Sequence, residues 1–90
     1  MELFDSPFGP VELTSERWSH IVNFHPELRT LKPSIKLVLE NPELIRPSKT
    51  DPKAFILYRE ISHNKHLAAV VKINRRNFIL TAYLTYWIQS

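Results

Sequence analysis

The chain has 90 residues, a net charge of +3, no cysteine and only one glycine, and 43% of its residues are hydrophobic. This length and hydrophobicity are typical of one globular domain, which we assign to residues 1–90. The lack of cysteine excludes disulfides, iron–sulfur clusters and thiol nucleophiles. The single glycine excludes glycine-rich phosphate loops, so no cofactor is expected, and the mild basicity permits a polyanionic partner.

Residues 1–12 are predicted to form an irregular N-terminal arm. Pro7, Gly9 and Pro10 interrupt its apolar residues and leave only a short extended piece at the end. The first ten residues also lack the long apolar run of a signal peptide or a membrane span. We therefore expect a cytoplasmic protein without a membrane partner.

Two helices are predicted within residues 13–41. Thr14 is a good N-cap for the first, and Pro26 disfavours a helical conformation at His25, so this helix should end there. The second should carry Pro33 in its first turn and end at Asn41. Apolar stripes with helical spacing support both helices: Trp18, Ile21 and Val22 in the first, and Ile35, Val38 and Leu39 in the second.

Residues 54–87 are predicted to form three strands in an antiparallel meander. The segments AFILYREIS, HLAAVVKIN and FILTAYLTYW are rich in β-branched and aromatic residues, and two short turns join them. The preceding segment IRPSKTDPK is predicted to be an exposed loop. The expected fold is α+β, with two N-terminal helices packed on one face of a three- to four-stranded antiparallel sheet.

Alternation along the strands divides the side chains between two faces. One face is apolar and should receive the helices; it includes Leu57, Val71, Phe78, Leu80 and, near a strand end, Arg59. The other face mixes apolar and reactive side chains, among them Ile56, Tyr58, His66, Val70, Lys72, Thr81 and Tyr83. Because this second face is too apolar to stay hydrated, we expect the arm, a second copy of the chain or a protein partner to cover part of it.

The histidines allow more than one interpretation. His20 and His25 are five residues apart, whereas two metal ligands on a helix need a spacing of three or four. His63 and His66 lie in a turn without a well-placed carboxylate, so no metal site is predicted. The pair in the first helix is either structural, with one histidine partly buried, or the source of a general acid or base.

Lys72 is the cation that most resembles a functional residue. It follows the apolar run LAAVV in the central strand, where it could hold a phosphate or stabilise a developing negative charge. Short turns would place Tyr58 and Thr81 on either side of Val70, next to Lys72. Threonine and tyrosine are equally typical of the polar side of any sheet.

Residues near the chain's end could bind RNA. Arg75 and Arg76 in the last turn either stay solvated or contact a phosphate. Tyr83, Tyr86 and Trp87 could stack on bases, close the core or form an oligomer contact.

The order of the motifs VELTSERWSHIVNFHPEL, LENPELI, ILYRE, LAAVVKIN and FILTAYLT resembles the BECR superfamily of barnase-like, EndoU-like, colicin-like and RelE-like nucleases. The most similar branch is the small phage- and toxin-associated one, and the resemblance covers roughly residues 11 to 86. It implies two helices on an antiparallel sheet and metal-independent RNA cleavage, often by the toxin of a toxin–antitoxin system. By position, the family's catalytic residues fall on His20, His25, Arg59, Lys72, Thr81 and Tyr83.

The resulting functional hypothesis is a metal-independent endoribonuclease, a toxin or a phage-associated hydrolase. His25 or His20 would accept the proton of a ribose 2′-hydroxyl, which attacks the adjacent phosphate, and the product would be a 2′,3′-cyclic phosphate. The substrate-binding residues would be Tyr58, Arg75, Arg76 and Tyr86. The expected partner is RNA, with a cognate antitoxin protein and a second copy of the chain as further candidates. The alternative is a non-catalytic RNA-binding or protein-interaction module on the same fold.

Overall fold

The computed structural model describes residues 1–86, which form six strands, two α-helices and one short 3-10 helix. In chain order these elements are β1 (Glu2–Phe4), β2 (Val11–Leu13), α1 (Ser15–Phe24), the 3-10 helix (Pro26–Thr30), α2 (Lys32–Glu40), β3 (Leu44–Pro47), β4 (Ala54–Ser62), β5 (Lys65–Lys72) and β6 (Asn77–Thr85). The predicted end of the last strand at Trp87 lies outside the described residues.

Both predicted helices are confirmed, with the expected ends. The side chain of Thr14 accepts a hydrogen bond from the backbone N–H of Arg17, as an N-cap should. The helix α1 stops before His25, which has a non-helical backbone. Pro33 lies in the first turn of α2, and Asn41 follows its last residue. The 3-10 helix between them was not predicted.

The predicted sheet and the predicted place of the helices are wrong. The sheet has six strands in the order β1-β2-β6-β5-β4-β3, and it is mixed because β2 runs parallel to β6. Two strands precede α1, so the helices are not N-terminal but lie between the second and third strands.

The predicted arm is a strand pair, and this accounts for most of the error. Gly9 adopts a positive φ of 93° in the turn between β1 and β2, where its N–H donates to the carbonyl of Ser6. The strand β2 then extends the sheet at Val11↔Asn77 and Glu12↔Phe78. Strands of three residues are too short to show alternation, so sequence patterns do not reveal them.

The additional strand β3 comes largely from the segment IRPSKTDPK, which was predicted to be a loop. Residues Leu44–Pro47 pair with β4 along the edge of the sheet. Pro47 has no backbone N–H, and proline is tolerated in edge strands of this kind.

The three long strands form the two predicted antiparallel hairpins, but β6 contains a bulge. Val70 pairs with Thr81 and Val71 pairs with Ile79, which leaves Leu80 as an extra residue. The bulge shifts the alternation, so Ile79 is fully buried in the main core and Leu80 packs with the opposite face. The predicted placement of Phe78 and Leu80 on the helix-packed face was therefore wrong.

The main core lies between the helices and one face of the sheet. It contains Ile21 from α1, three residues from α2, and buried residues of the central strands such as Leu57 and Val71. The opposite face, which we call the front face, carries a second cluster of buried residues: Ala54, Ile56, Tyr58, Ala68 and Val70. The segment Ser48–Asp51, rather than the N-terminal residues, lies over part of this cluster.

The position of α1 matters for the site. Only the first two residues of β6 pair with β2, so the outer edge of β6 is free of a strand neighbour from Ile79 onwards in the described part of the chain. The helix α1 lies along this edge, and the guanidinium of Arg17 donates to the carbonyl of Leu80 over 3.5 Å.

Candidate active site

Two tyrosines meet on the front face across a small residue. Ala68 of β5 is the cross-strand partner of both Tyr58 on β4 and Tyr83 on β6. Because Ala68 is only a methyl group, the two phenols can approach each other above it. Tyr58 is 1% exposed and forms a hydrogen bond with Tyr83.

Burial is the main cause of an altered pKa at Tyr83. Burial, and then the interaction with Tyr58, raises the pKa of Tyr83 to about 12. The phenol therefore stays protonated at any physiological pH. It can donate a hydrogen bond to an anion, but it cannot act as a base near neutrality.

His25 reaches this pair from the end of α1. Its backbone N–H donates to the carbonyl of Ile21, and φ of −130° and ψ of 73° turn the chain away from the helix. The imidazole ring lies 6.3 Å from the ring of Tyr83, measured between centroids. Its side chain is 36% exposed, and Nδ1 lies 3.7 Å from a carboxylate oxygen of Glu27.

His20 occupies a different place. It is exposed on α1, and its ring contacts the ring of Phe24 at a centroid distance of 4.9 Å. The two histidines of the helix motif therefore separate, and the ring contact with Tyr83 belongs to His25.

Lys72 lies at the other end of the front face. It is four residues along β5 from Ala68, or about 13 Å at the usual rise of a strand. Its ammonium forms an ion pair with Asp51, and this hydrogen bond, followed by one from the backbone of Lys53, holds the pKa of Asp51 below its usual range. The pair fixes the segment Ser48–Asp51 to the sheet.

Thr81 lies between these two ends, opposite Val70. Together with the bulged Leu80 it borders a cavity of about 300 Å³ beneath the segment that Lys72 anchors. The prediction that Tyr58 and Thr81 lie on either side of Val70 is wrong. The strand β4 is displaced by two residues from the predicted register, so Ile56 rather than Tyr58 lies opposite Val70.

Arg59 is not brought to this face. Its cross-strand partner Leu67 is buried in the main core, and its guanidinium donates over 2.8 Å to the carbonyl of Asn41, just after α2. A cation at the end of a helix satisfies a free carbonyl and interacts favourably with the helix dipole.

The proposed RNA-binding residues are dispersed. Arg76 forms a 3.2 Å ion pair with Glu12, and Arg75 is exposed in the turn before β6. Tyr86 is 65% exposed beyond the end of β6. Tyr58 is buried, so it can support the site but can offer no face to a base.

His66 is a candidate that the sequence analysis did not select. It pairs with Glu60 and Thr85, which makes it the diagonal neighbour of Tyr83 on the front face. Its Nδ1 is buried and has no hydrogen-bond partner within residues 1–86. Buried polar atoms are almost always paired, so this unpaired nitrogen makes His66 a candidate for the site. The sequence could have indicated His66, because it occupies alternate positions of β5 with Ala68 and Lys72 and so lies on the same face of the sheet.

Two further properties concern the described residues as a whole. Within residues 1–86, no three histidine, aspartate or glutamate side chains lie close enough together to hold a metal ion. None of the helices in this range has the length and apolar character needed to cross a membrane.

No protein-family model, curated protein or solved structure matches the chain.

Proposed function

We propose that the protein is a metal-independent endoribonuclease whose active site lies around Tyr83. The observation that carries the proposal is the approach of His25 to a phenol that is held protonated on the front face. An imidazole can take a proton near neutral pH, and a phenol beside it can donate to a phosphate oxygen. The order of the sequence motifs supports the same function.

In this mechanism Nε2 of His25 accepts the proton of a ribose 2′-hydroxyl. The 2′-oxygen forms a bond to the adjacent phosphorus while the bond from phosphorus to the 5′-oxygen of the next nucleotide breaks. Tyr83 turns its hydroxyl proton from Tyr58 to a non-bridging oxygen, and His66 gives its proton to the departing 5′-oxygen. The products are a 2′,3′-cyclic phosphate and a free 5′-hydroxyl.

The other predicted residues support the site from further away. Thr81 lies two residues before Tyr83 on β6 and on the same face of the sheet. In this mechanism it positions the RNA next to the cleaved phosphate. Lys72 retains the segment Ser48–Asp51, and Arg59 retains the end of α2, since both cations already have partners. Neither cation is free to contact the reacting phosphate, so their role is to hold these elements in place.

The biological setting belongs to the proposal as well. A cytoplasmic toxin or phage-associated nuclease, inhibited by an antitoxin protein, fits the resemblance of the sequence motifs. A net charge of +3 favours association with RNA.

The decisive experiment is cleavage of total RNA in excess EDTA by the wild type, His25→Gln and His63→Gln. His63 is an exposed residue of the turn between β4 and β5, so its substitution is the matched control. We expect the wild type and His63→Gln to cleave equally, and His25→Gln to lose about 100-fold or more in rate. Products should end in a 2′,3′-cyclic phosphate, and an oligonucleotide with 2′-deoxyribose at the cleaved position should stay intact. Intact RNA with the wild type would contradict the proposal.

A non-catalytic RNA-binding module is the second candidate. It is favoured by the engagement of Lys72 and Arg59 with partners inside the protein, which removes two cations from direct contact with a reacting phosphate. Under this alternative the wild type and His25→Gln would bind RNA with similar affinity and neither would cleave it.

A further inference from the structure

A second polar cavity opens between the start of α1 and the turn that joins β5 to β6. Its volume is about 360 Å³, and it lies on the side of the sheet where β2 stops pairing with β6. Six of the eight residues that line it, besides Phe78 and Ile79, are polar or charged: Glu12, Thr14, Arg17, Asn74, Arg75 and Arg76.

The charges in this cavity favour an anion. Arg76 is paired with Glu12, so these two charges offset each other. Arg17 contacts only the carbonyl of Leu80, and Arg75 has no hydrogen-bond or ion-pair partner within residues 1–86. Arg17 and Arg75 therefore leave the residues that line the cavity with a surplus of two positive charges. Guanidinium is the side-chain group that best matches the oxygens of a phosphate.

The cavity is connected to the proposed active site by α1. Arg17 contacts Leu80 near the start of the helix, and His25 contacts Tyr83 at its end, so the helix runs along the free edge of β6. Eight residues of α-helix separate Arg17 from His25, which is about 12 Å. At about 3.4 Å per nucleotide, the axial spacing along one strand of stacked B-DNA, this distance corresponds to three or four nucleotides of a stacked strand.

The helix surface between the two points suits a single strand. His20 and Phe24 lie three and seven residues after Arg17, so the three side chains form one stripe on the helix. The side chain of Phe24 is 67% exposed, and its ring contacts that of His20. Exposed aromatic rings are the usual stacking platform for unpaired bases.

We propose that the cavity at Arg17 and Arg75 binds a phosphate of a single-stranded RNA, three or four nucleotides away from the phosphate that is cleaved beside His25. The inference rests on the proposed function and adds the substrate's form: an unpaired strand of at least four nucleotides that lies along α1, with a base on Phe24. Helical RNA is too wide to follow a single helix edge in this manner.

The test measures binding of uncleavable 2′-O-methyl RNA strands of two to six nucleotides to the wild type, Arg75→Gln, Arg75→Lys and Lys36→Gln. Lys36 is an exposed residue of α2 that pairs with Glu40, and its substitution removes the same charge on the helix-covered side. For the wild type, affinity should rise with length up to four or five nucleotides. Arg75→Gln should reduce that gain roughly five- to tenfold and lower the salt dependence of log Kd by about 0.7. Arg75→Lys should keep most of the salt dependence, and Lys36→Gln should match the wild type.

Each outcome decides between the two proposals. An Arg75→Gln profile equal to that of the wild type would overturn the phosphate site, even if RNA is cleaved in EDTA. A length profile that depends on Arg75, without any cleavage, would leave the RNA site standing and remove the nuclease proposal. Competition by millimolar inorganic phosphate with no dependence on strand length would assign the cavity to a free anion instead. A Phe24→Ala variant provides a second measurement, and it should weaken binding of four-nucleotide strands about fivefold or more while Phe24→Tyr should not.

Discussion

Tyr83 connects the chemistry of the site to the stability of the fold. Below pH 10 the phenol is protonated in both the folded and the unfolded chain, because its ordinary pKa is about 10. Between that value and the pKa of about 12 in the folded protein, only the unfolded chain releases the proton. Unfolding therefore becomes more favourable as the pH rises through this range.

The corresponding variant is Tyr83→Phe. We expect the free energy of unfolding of the wild type to fall more steeply between pH 10 and pH 12 than that of Tyr83→Phe, as measured by denaturant titration. Lysines also titrate in this range, but they contribute equally to both proteins and cancel in the difference. Tyr86→Phe, which removes an exposed phenol, is the control and should follow the wild type. Parallel pH profiles for the wild type and Tyr83→Phe would show that Tyr83 is not buried in this way.

Substitution of His66 should lower the rate of RNA cleavage without lowering the stability of the fold. Replacing it with leucine removes a buried nitrogen that has no partner within residues 1–86, so the free energy of unfolding should stay the same or increase by about 1 kcal/mol. If His66 is the proton donor, His66→Leu should lower the rate of RNA cleavage about 100-fold. A stable variant that cleaves at the wild-type rate would remove His66 from the mechanism.

The elements differ in how far sequence could predict them. The helix ends were predictable because single residues determine them: Thr14 provides an N-cap, and Pro26 disfavours a helical conformation at His25. The bulge at Leu80 was not predictable, since nothing in the alternation of FILTAYLT marks the extra residue. A bulge reverses the faces of every position before it, which is why Ile79 and Leu80 exchanged places.

The candidate site was predicted in part for the same reasons. His25 and Tyr83 were selected, and the structure brings them together. Lys72 has the alternation of a front-face residue, but its partner Asp51 lies 21 positions earlier in a segment without periodicity. No local pattern indicates a contact of that kind.

The segment Ser48–Asp51 supplies a prediction at the scale of an element. The lowered pKa of Asp51, caused chiefly by the hydrogen bond from Lys72, means that the ionised carboxylate stabilises the folded state. This contribution is present above the ordinary aspartate pKa of about 3.9 and is lost as the pH falls through the lower folded-state pKa. Asp51→Asn should therefore be less stable than the wild type at pH 7, and this difference should narrow as the pH falls from about 4 towards 2, as measured by urea titration. Replacement of Glu27 by glutamine is a matched control, because its carboxylate is exposed and lies beside His25 rather than Lys72. An equal loss of stability at both pH values would indicate a role for Asp51 other than the ion pair.

For the molecule as a whole, the six-stranded sheet makes the N-terminal residues part of the core. Phe4 on β1 is 5% exposed and belongs to the main core, although β1 is an edge strand of three residues. The neighbouring Leu3 points away and is 61% exposed. In the irregular arm that the sequence alone predicts, Leu3 and Phe4 would not differ in exposure in this way.

These adjacent residues provide the sharpest test of the architecture. Phe4→Ala should lower the free energy of unfolding by about 3–5 kcal/mol, because it removes a buried ring and leaves a cavity. That is a large share of the roughly 5–15 kcal/mol that stabilises a typical domain, so the melting temperature should fall by many degrees. Leu3→Ala should change the free energy of unfolding by less than about 0.5 kcal/mol. Equal and small effects for the two variants would mean that residues 1–12 are an arm after all, with the sheet beginning elsewhere. A selective loss in Phe4→Ala would place β1 and β2 in the folded core, next to the edge of β6 along which α1 lies.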